Sequence, residues 1–263
     1  MKFGDSARLT DRLKRHPFPV VAWFDRVLAV SFAFPEKILR PLVPEPLEID
    51  THEGFGFVTV ALVWTRDLRP AGFPTFLGKS FFLAGYRIFA RLRDENGRRL
   101  RGLKILRSET DKASMVLSGN LMTHYNYRRV RLEESESRVR TFLPEPDGRE
   151  TLDLSFDLSA IPDAPPAGSP FADLRAARQF AGPMPFTFEA EGDGLFVVVE
   201  GKRGDWTPKP LHVHSWKVAM FDEPPFQGIT PILANAFRVD NVPYRWESGR
   251  LITPMPAEKA QPA

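Results

Sequence analysis

The segment 34–50 restricts the fold of this chain more than any other, because its prolines fix the path of the backbone. Pro35 suits the first turn of a helix, where a missing N–H costs no hydrogen bond, and a short apolar face around Leu39 follows it. Pro44 and Pro46 stop that helix and impose an extended backbone. Apolar and acidic residues then alternate up to residue 50, which is typical of a strand. The segment therefore predicts a short helix between two strands, with a stiff corner at its exit.

Most of the remaining chain predicts strands joined by tight turns. Residues 55–67 alternate in the manner of a strand, and an Asn-Gly pair at 96–97 joins two strand-like runs as a hairpin. Helices are expected at 112–124, 171–180 and 229–239. The 22 Phe against only 4 Tyr indicate an apolar interior. We predict one mainly antiparallel β domain, whose closure into a barrel or cone would remove exposed edges and enclose a cavity.

A family resemblance supports this fold. The Leu-Val-Pro-Glu-Pro-Leu-Glu run at 42–48 resembles the entry to the acetoacetate decarboxylase superfamily, and the strand 57–63 with the Tyr86-Arg87 pair is most similar to its YqjF-like branch. The resemblance implies a mainly β (α+β) chain, a single-domain antiparallel β cone or barrel of the acetoacetate decarboxylase type with a few peripheral helices. The expected limits are an N-terminal arm at 1–20, this β domain at 21–252 and a frayed C-terminal tail at 253–263.

The catalytic residues of that superfamily do not recur in this sequence. The decarboxylase forms a Schiff base between a lysine and its β-keto acid, and a neighbouring cation favours the free amine. Its Gly-Arg-Glu-x-x-Gly-x-Pro-Lys-Lys motif corresponds here to residues 119–128, where Tyr127 and Arg128 occupy the two lysine positions. The resemblance also assigns Phe32 to the place of a strand arginine and Leu83 to that of a glutamate. We therefore expect the scaffold without the decarboxylation.

Three basic residues lie within otherwise apolar strands. Arg87 and Arg107 would bind a carboxylate bidentately if they faced a cavity, and Arg87 also matches an arginine of the YqjF-like branch. The alternative for both is exposure or a structural ion pair, with Glu109 or Asp111 as the partner. Lys104 is a catalytic candidate if it is buried, because burial favours the nucleophilic free amine. Strand alternation equally allows Lys104 to point outward.

His124, Tyr125 and Tyr127 follow the helix expected at 112–124. They occupy the place where the superfamily has its catalytic loop, so the resemblance implies that they line the mouth of the pocket. His124 is thus a candidate base, and the alternative is a hydrogen-bonded structural histidine.

His212, His214 and Trp216 recur at every second position, which places them on one face of a predicted strand. Two histidines at this spacing can share a metal ion only if a third ligand comes from elsewhere, and the sequence identifies none. We predict a polar and aromatic patch on the cavity wall, and no metal.

Composition narrows the functional classes. The absence of Cys removes disulfides, thiolate nucleophiles and zinc–thiolate sites, and it suits a reducing cytoplasm. The basic stretch 87–107 contains acids of its own and reads as a solvated hairpin end, so no nucleic-acid partner is expected. There is no 18-residue apolar run for a membrane span and no signal peptide at the start. Nucleotide-binding and nucleophile-elbow motifs are also missing, so we expect no cofactor.

Three functions remain open. The first is a cavity that binds a small, anionic and partly apolar organic ligand without Schiff-base chemistry. The second is an enzyme that performs acid–base chemistry on a keto or enolate-like molecule, with His124 or His212 as the base and an arginine as an electrostatic clamp. The third is an oligomeric structural protein packed solid with Phe, and a homo-oligomer is compatible with all three. The expected ligand-binding residues are Arg87, Arg107, His124, Tyr125, Tyr127, His212, His214 and Trp216.

Overall fold

The computed structural model describes residues 12–182 and 184–256. Most of the expected N-terminal arm (1–11) and of the expected tail (257–263) lies outside the described residues. The helices are α1 (Glu36–Leu39), α2 (Ala113–Met122) and α3 (Leu174–Phe180). The strands are β1 (Val20–Pro35), β2 (Glu48–Ile49), β3 (Phe55–Pro70), β4 (Lys79–Arg93), β5 (Arg99–Thr110), β6 (Tyr127–Arg129), β7 (Arg131–Ser135), β8 (Arg138–Phe142), β9 (Glu150–Asp157), β10 (Phe186–Ala190), β11 (Phe196–Arg203), β12 (Lys209–Pro210), β13 (His212–Val218), β14 (Ile232–Trp246) and β15 (Arg250–Ile252). No helix in the described ranges is long and apolar enough to cross a membrane.

A large sheet rings around a lumen. Its strands lie in the order β12-β14-β1-β3-β4-β5-β10-β11-β15, while β2 pairs with β4 and β6 with β5. A further pairing between β14 and β11, with Gly201 opposite Trp246, closes the ring. The prediction of a mainly β, ring-like fold with few helices is confirmed. The pairing is not antiparallel throughout, because β5 runs parallel to both β10 and β6.

A second sheet, in the order β13-β9-β8-β7, packs on the outer face of the ring. Val58, Val60 and Leu62 of β3 are buried in one cluster with Leu154 and Phe156 of β9. Each such side chain stabilises the fold by about 1.5–3 kcal/mol on burial. The intervening residues of β3 face the lumen, so both faces of this strand are covered, in agreement with its nearly continuous apolar sequence.

The proline-rich corner folds as its sequence predicts. Pro35 ends β1 and precedes α1, and a single 3-10 turn continues the helix before the chain leaves it. The guanidinium of Arg40 donates to the carbonyl oxygen of Leu47 at 3.0 Å and so fixes the exit. Leu39 packs so closely on β3 that a Cβ at Gly56 would lie 2.7 Å from its Cδ1 atom. This contact holds the corner against the ring.

The helix predicted at 229–239 is wrong, because most of that segment belongs to β14. Leu233 and the two alanines of that segment, Ala234 and Ala236, favour a helix by local propensity. Strand β14 pairs with β1 along nearly its whole length, from Trp246 opposite Val20 to Ile232 opposite Ala33. This ladder satisfies the backbone and buries the alanines, so tertiary pairing overrides propensity. The helices predicted at 112–124 and 171–180 are confirmed as α2 and α3.

Candidate functional site

A cavity of about 320 Å³ lies inside the ring, which is within the size range of small-molecule sites. Strands from all round the ring contribute to its wall, and α2 covers part of it. Much of the wall is apolar, with Val27, Ala29, Ala61, Val63, Leu83, Phe89, Leu103, Ile105, Val199, Phe237 and Trp246 among its residues. Such a wall suits a ligand with a hydrocarbon part.

The charged groups of the wall are all of one sign. Arg69, Lys79, Arg87 and Arg203 line the cavity, and the described lining residues include no aspartate or glutamate. Arg69 is tied to backbone carbonyls of its own loop, and Lys79 is exposed at the rim. Arg87 and Arg203 are the two cations of the interior. The lumen therefore carries a positive field that no lining acid offsets.

Arg87 projects from β4 with its guanidinium folded back over Gly85. A Cβ at Gly85 would lie 2.8 Å from both Nε and Nη2 of Arg87, so only glycine leaves room for this arrangement. The Arg87 Nε is buried without a hydrogen-bond partner, and its side chain forms no ion pair with the described residues. Burial lowers the pKa of Arg87, yet an arginine stays protonated. Arg87 is thus a half-buried cation, with a buried Nε, that has no anionic partner among the described residues.

Three tyrosines surround this guanidinium. Tyr125, Tyr127 and Tyr244 all line the cavity and act on Arg87 electrostatically. The hydroxyl of Tyr125 is hydrogen-bonded to the hydroxyl of Thr187 at 2.8 Å. Burial raises the pKa of Tyr125, and it raises the pKa of Tyr127 to about 12 against the opposing effect of Arg87. Both phenols are therefore neutral at pH 7 and are available as hydrogen-bond donors.

Arg203 is the second interior cation. It projects from β11, with its guanidinium carbon 4.7 Å from the ring centroid of Trp206 and 5.9 Å from that of Tyr244. Its Nη2 is buried without a hydrogen-bond partner, and burial lowers its pKa. The aromatic rings orient the guanidinium by cation–π attraction, but they do not neutralise its charge.

His16 is the histidine of the wall. Its side chain is buried, with an exposed fraction of 8%, and its Nδ1 has no hydrogen-bond partner. Burial lowers the pKa of His16 to about 4, although backbone carbonyl groups at Phe18 and Glu247 oppose the shift. The imidazole is therefore neutral at pH 7 and shares the cavity with Arg87.

This low pKa predicts a pH-dependent loss of stability. The unfolded chain takes up the His16 proton near pH 6.5, whereas the folded chain does so only near pH 4. Stability should therefore fall as the pH drops from about 6.5 to about 4. We expect the wild-type protein to lose about 2–3 kcal/mol more than His16→Asn between pH 7 and pH 4, measured by urea unfolding.

Asparagine suits this test because His16 has a φ of +53°, a region that asparagine tolerates. The matched control is His214→Asn, since His214 is exposed on β13 and should keep the wild-type slope. Equal slopes for wild type and His16→Asn would contradict a buried, neutral His16.

Of the residues predicted from the sequence, the cavity brings together Arg87, Tyr125 and Tyr127. Arg107 is placed elsewhere and contacts Glu223 at 3.4 Å. It leaves the inner face because the pairing of β5 with β4 shifts register: Tyr86 lies opposite Arg107, Arg87 lies opposite Ile105, and Leu106 is bulged out. The bulge reverses the alternation beyond Ile105.

Lys104 and His124 also lie outside the wall of the cavity. The Lys104 ammonium bonds a carboxylate oxygen of Glu189 at 2.5 Å. The Nε2 of His124 lies 3.7 Å from an oxygen of Glu191, next to the cavity-lining Tyr125. Burial raises the pKa of Glu189 to about 7, and its lysine partner opposes that shift. Both basic side chains thus have acidic neighbours.

The prediction that His212, His214 and Trp216 share one face is wrong. A bulge between Val213 and Ser215 breaks the period of two. The histidines are exposed, with ring centroids 4.8 Å apart. Trp216 turns inward and packs on Phe32 at 4.7 Å, under the second sheet and outside the cavity wall. The described residues contain no cluster of three or more His, Asp or Glu that could hold a metal.

Sequence reasoning missed Arg203, Tyr244 and His16. Arg203 ends β11 in the polar run Glu200-Gly201-Lys202-Arg203, so, unlike Arg87, it did not stand out as a cation in an apolar strand. His16 and Tyr244 come from the two ends of the chain. No local pattern marks them, because ring closure brings them to the cavity.

Gly119 is the residue of the superfamily motif that the sequence retains, and the structure gives a reason. Gly119 lies in α2 against the ring of Tyr127, and a Cβ there would be 2.4 Å from Tyr127 Cδ2. Tyr127 itself turns into the cavity. Arg128, the other residue at a lysine position, turns away and donates from Nε to Glu109 at 2.9 Å.

We expect Gly119→Ala to destabilise the protein and to displace the Tyr127 ring. Alanine normally favours a helix over glycine by about 1 kcal/mol. Here overpacking against Tyr127 should outweigh that gain and give a net loss of about 1–2 kcal/mol in urea unfolding. The double variant Gly119→Ala/Tyr127→Ala should have a higher free energy of unfolding than Tyr127→Ala alone. The alanine at position 119 then favours the helix without meeting the Tyr127 ring. A stabilising single variant would show that the ring moves away without strain.

The ring-shaped β fold around a cavity is a fold shared with acetoacetate decarboxylase-like proteins. Among solved structures, the chain is similar to acetoacetate decarboxylase from Legionella pneumophila subsp. pneumophila str. Philadelphia 1, with a TM-score of 0.60 and 9% identity over 90% of this chain and 88% of that one. It is also similar to the enduracididine biosynthesis enzyme MppR complexed with pyruvate, with a TM-score of 0.55 and 15% identity over 89% and 90% of the two chains. At these identities the likeness shows the fold alone.

A family model gives the closer assignment. The model of DUF2071, described as an uncharacterized conserved protein, matches residues 22–224. The chain belongs to this family, and the resemblance to the YqjF-like branch of the acetoacetate decarboxylase superfamily is confirmed. No curated protein sequence matches the chain.

Proposed function

We propose that the cavity binds a small, anionic and partly apolar organic ligand without forming a Schiff base. One observation carries this proposal: the described wall contains four basic residues and no acid, and Arg87 is half-buried there, with a buried Nε and no ion-pair partner among the described residues. An uncompensated buried charge is costly. A carboxylate that accepts two hydrogen bonds from the guanidinium would remove that cost.

The tyrosines and the apolar wall define the rest of the ligand. The neutral phenols beside Arg87 can donate to a second oxygen of the ligand, such as a keto or hydroxyl group. The apolar residues would take up a hydrocarbon part. The fold neighbour MppR is known in complex with pyruvate, a small carboxylate of the proposed class.

The proposal that no Schiff base forms rests on the surroundings of the lysines. A nucleophilic lysine needs an apolar setting or a neighbouring cation that releases the free amine. The lysine of the described wall is Lys79, which is exposed at the rim, and Lys104 is bonded to Glu189. Tyr127 projects into the lumen from the position that the resemblance assigns to the superfamily lysine.

A matched ligand panel tests the proposal. Calorimetry with octanoate, octanol and octylamine should show binding of the acid and at least tenfold weaker binding of the other two. Borohydride treatment in the presence of pyruvate or acetoacetate should leave every lysine unlabelled in mass spectra. Equal binding of octanol and octanoate would refute the anion site, and a labelled Lys79 or Lys104 would refute the non-covalent mode.

A second candidate function is favoured by His16. Its neutral imidazole, with an unpartnered Nδ1, shares the cavity with Arg87, which is the combination that acid–base chemistry on a keto or enolate-like substrate requires. His16 takes the place of His124 and His212 in this scheme. Exchange of the C3 protons of 2-oxobutanoate in D₂O, followed by NMR, should be accelerated by the wild type and lost in His16→Asn. Exchange at the buffer rate in the wild type would remove this candidate.

The third possibility, an interior packed solid with phenylalanine, does not agree with the cavity. Phe24, Phe81, Phe89 and Phe237 form parts of its wall and leave the 320 Å³ lumen open.

A further inference from the structure

The two interior guanidinium groups come from different sides of the ring. Arg87 belongs to β4 and Arg203 to β11, and both line the same cavity. Neither forms an ion pair with any described residue, and each has a buried nitrogen without a hydrogen-bond partner. Arg203 is near enough to Arg87 to help lower its pKa by electrostatic repulsion, after the larger effect of burial. The repulsion between them adds to the cost of leaving both without an anion.

Tyr244 links the two cations and is itself fixed. Its ring lies 5.9 Å from the Arg203 guanidinium, and it also acts on Arg87. Its hydroxyl lies so close to β11 that a Cβ at Gly201 would be 2.0 Å from the oxygen. Trp206 holds Arg203 from another direction, at 4.7 Å. The second cation is therefore oriented by its aromatic neighbours toward a fixed place in the cavity.

A ligand with one carboxylate can neutralise only one of these groups. We propose that the ligand is a dicarboxylate, with one carboxylate bound by Arg87, the other by Arg203, and an apolar spacer along the wall between them. This inference rests on the proposed function and adds a second carboxylate to the proposed ligand. The apolar residues Val63, Leu83, Ile105 and Val199 of the same cavity suit a hydrocarbon spacer. The absence of lining acids means that no described group competes for either guanidinium.

Calorimetry with acids of equal carbon number tests the second charge. Suberate should bind the wild type at least about tenfold more tightly than octanoate, because it gains a second charge-assisted contact. Arg203→Gln should lose this preference and change octanoate affinity by less than about threefold. Arg203→Lys should keep part of the preference, because it retains the charge without the bidentate fork. The matched control is Lys202→Gln, on the same strand but exposed, which should behave as the wild type.

The outcomes separate the two proposals. If octanoate binds and suberate binds no better, or if the preference survives in Arg203→Gln, the dicarboxylate is wrong and the single-anion site stands. If inorganic phosphate displaces octanoate and suberate does not, the site binds one doubly charged group of a ligand instead of two separate carboxylates. The dicarboxylate proposal is then again wrong. If neither acid binds, the proposed function itself fails. Thermal unfolding of each variant identifies loss of binding that comes from loss of the fold.

Discussion

Arg87→Met is expected to abolish carboxylate binding while leaving the ligand-free protein as stable as the wild type, or more stable. The variant removes the group that we propose holds the anion, and truncation of a buried charged partner costs about 2–5 kcal/mol of binding energy. Affinity for octanoate should therefore fall by about 30-fold or more. In the free protein the same change removes a half-buried cation that lacks an ion-pair partner among the described residues, so the unfolding temperature should not decrease. Calorimetry and thermal unfolding measure the two effects separately.

Arg107→Met is the matched control for this experiment. Arg107 lies on the neighbouring strand, but the bulge at Leu106 turns it away from the cavity toward Glu223. Its replacement should leave affinity within about twofold of the wild type, since a half-exposed ion pair contributes little. Unchanged octanoate affinity in Arg87→Met would contradict the assignment of Arg87 as the anion site.

Glu109→Ala is expected to cause the largest loss of stability. The Glu109 carboxylate is fully buried and accepts hydrogen bonds from the Tyr86 hydroxyl and the Thr151 hydroxyl, each at 3.0 Å. Arg128 donates to its other oxygen. These partners belong to the ring and to the second sheet, so one side chain joins both layers. Removing one member of a buried ion pair costs about 3–5 kcal/mol, which urea unfolding measures directly.

Glu133→Ala is the control for the loss of a glutamate. Glu133 is also paired with two arginines, Arg131 and Arg140, but it is exposed. Its removal should cost less than about 1 kcal/mol. A comparable cost for the two variants would mean that the buried network around Glu109 does not join the sheets.

The fold follows from the sequence where local and tertiary preferences agree. The proline corner and the alternation of β3 predict their structures because each apolar face has one place to be buried. The segment that becomes β14 shows the opposite case. Its alanines favour a helix, and only the ladder to β1 makes it a strand. That partner lies some 200 residues away in the chain and has no local signature.

The candidate site was predictable to the extent that charge in an apolar strand is informative. Arg87 and Arg107 both carried that signal, and only the resemblance to the YqjF-like branch favoured Arg87. The single bulged residue Leu106 determines that Arg107 points away from the cavity. A bulge in β13 likewise breaks the shared face predicted for its histidines and Trp216. Bulges depend on how two strands pair, so a period of two predicts a face only up to the next bulge. His16 and Tyr244 reach the cavity through ring closure alone.

The positions that the resemblance assigns to the two lysines differ in whether an amine could be engineered there. Arg128 has become part of the joint between the sheets through Glu109, so a lysine there would weaken the architecture without reaching the lumen. Tyr127 faces the lumen beside Arg87. A lysine at that position would enter an apolar chamber next to a cation, the setting that favours a free amine. Any design that aims to restore imine chemistry on this scaffold should therefore begin at Tyr127 and leave Arg128 in place.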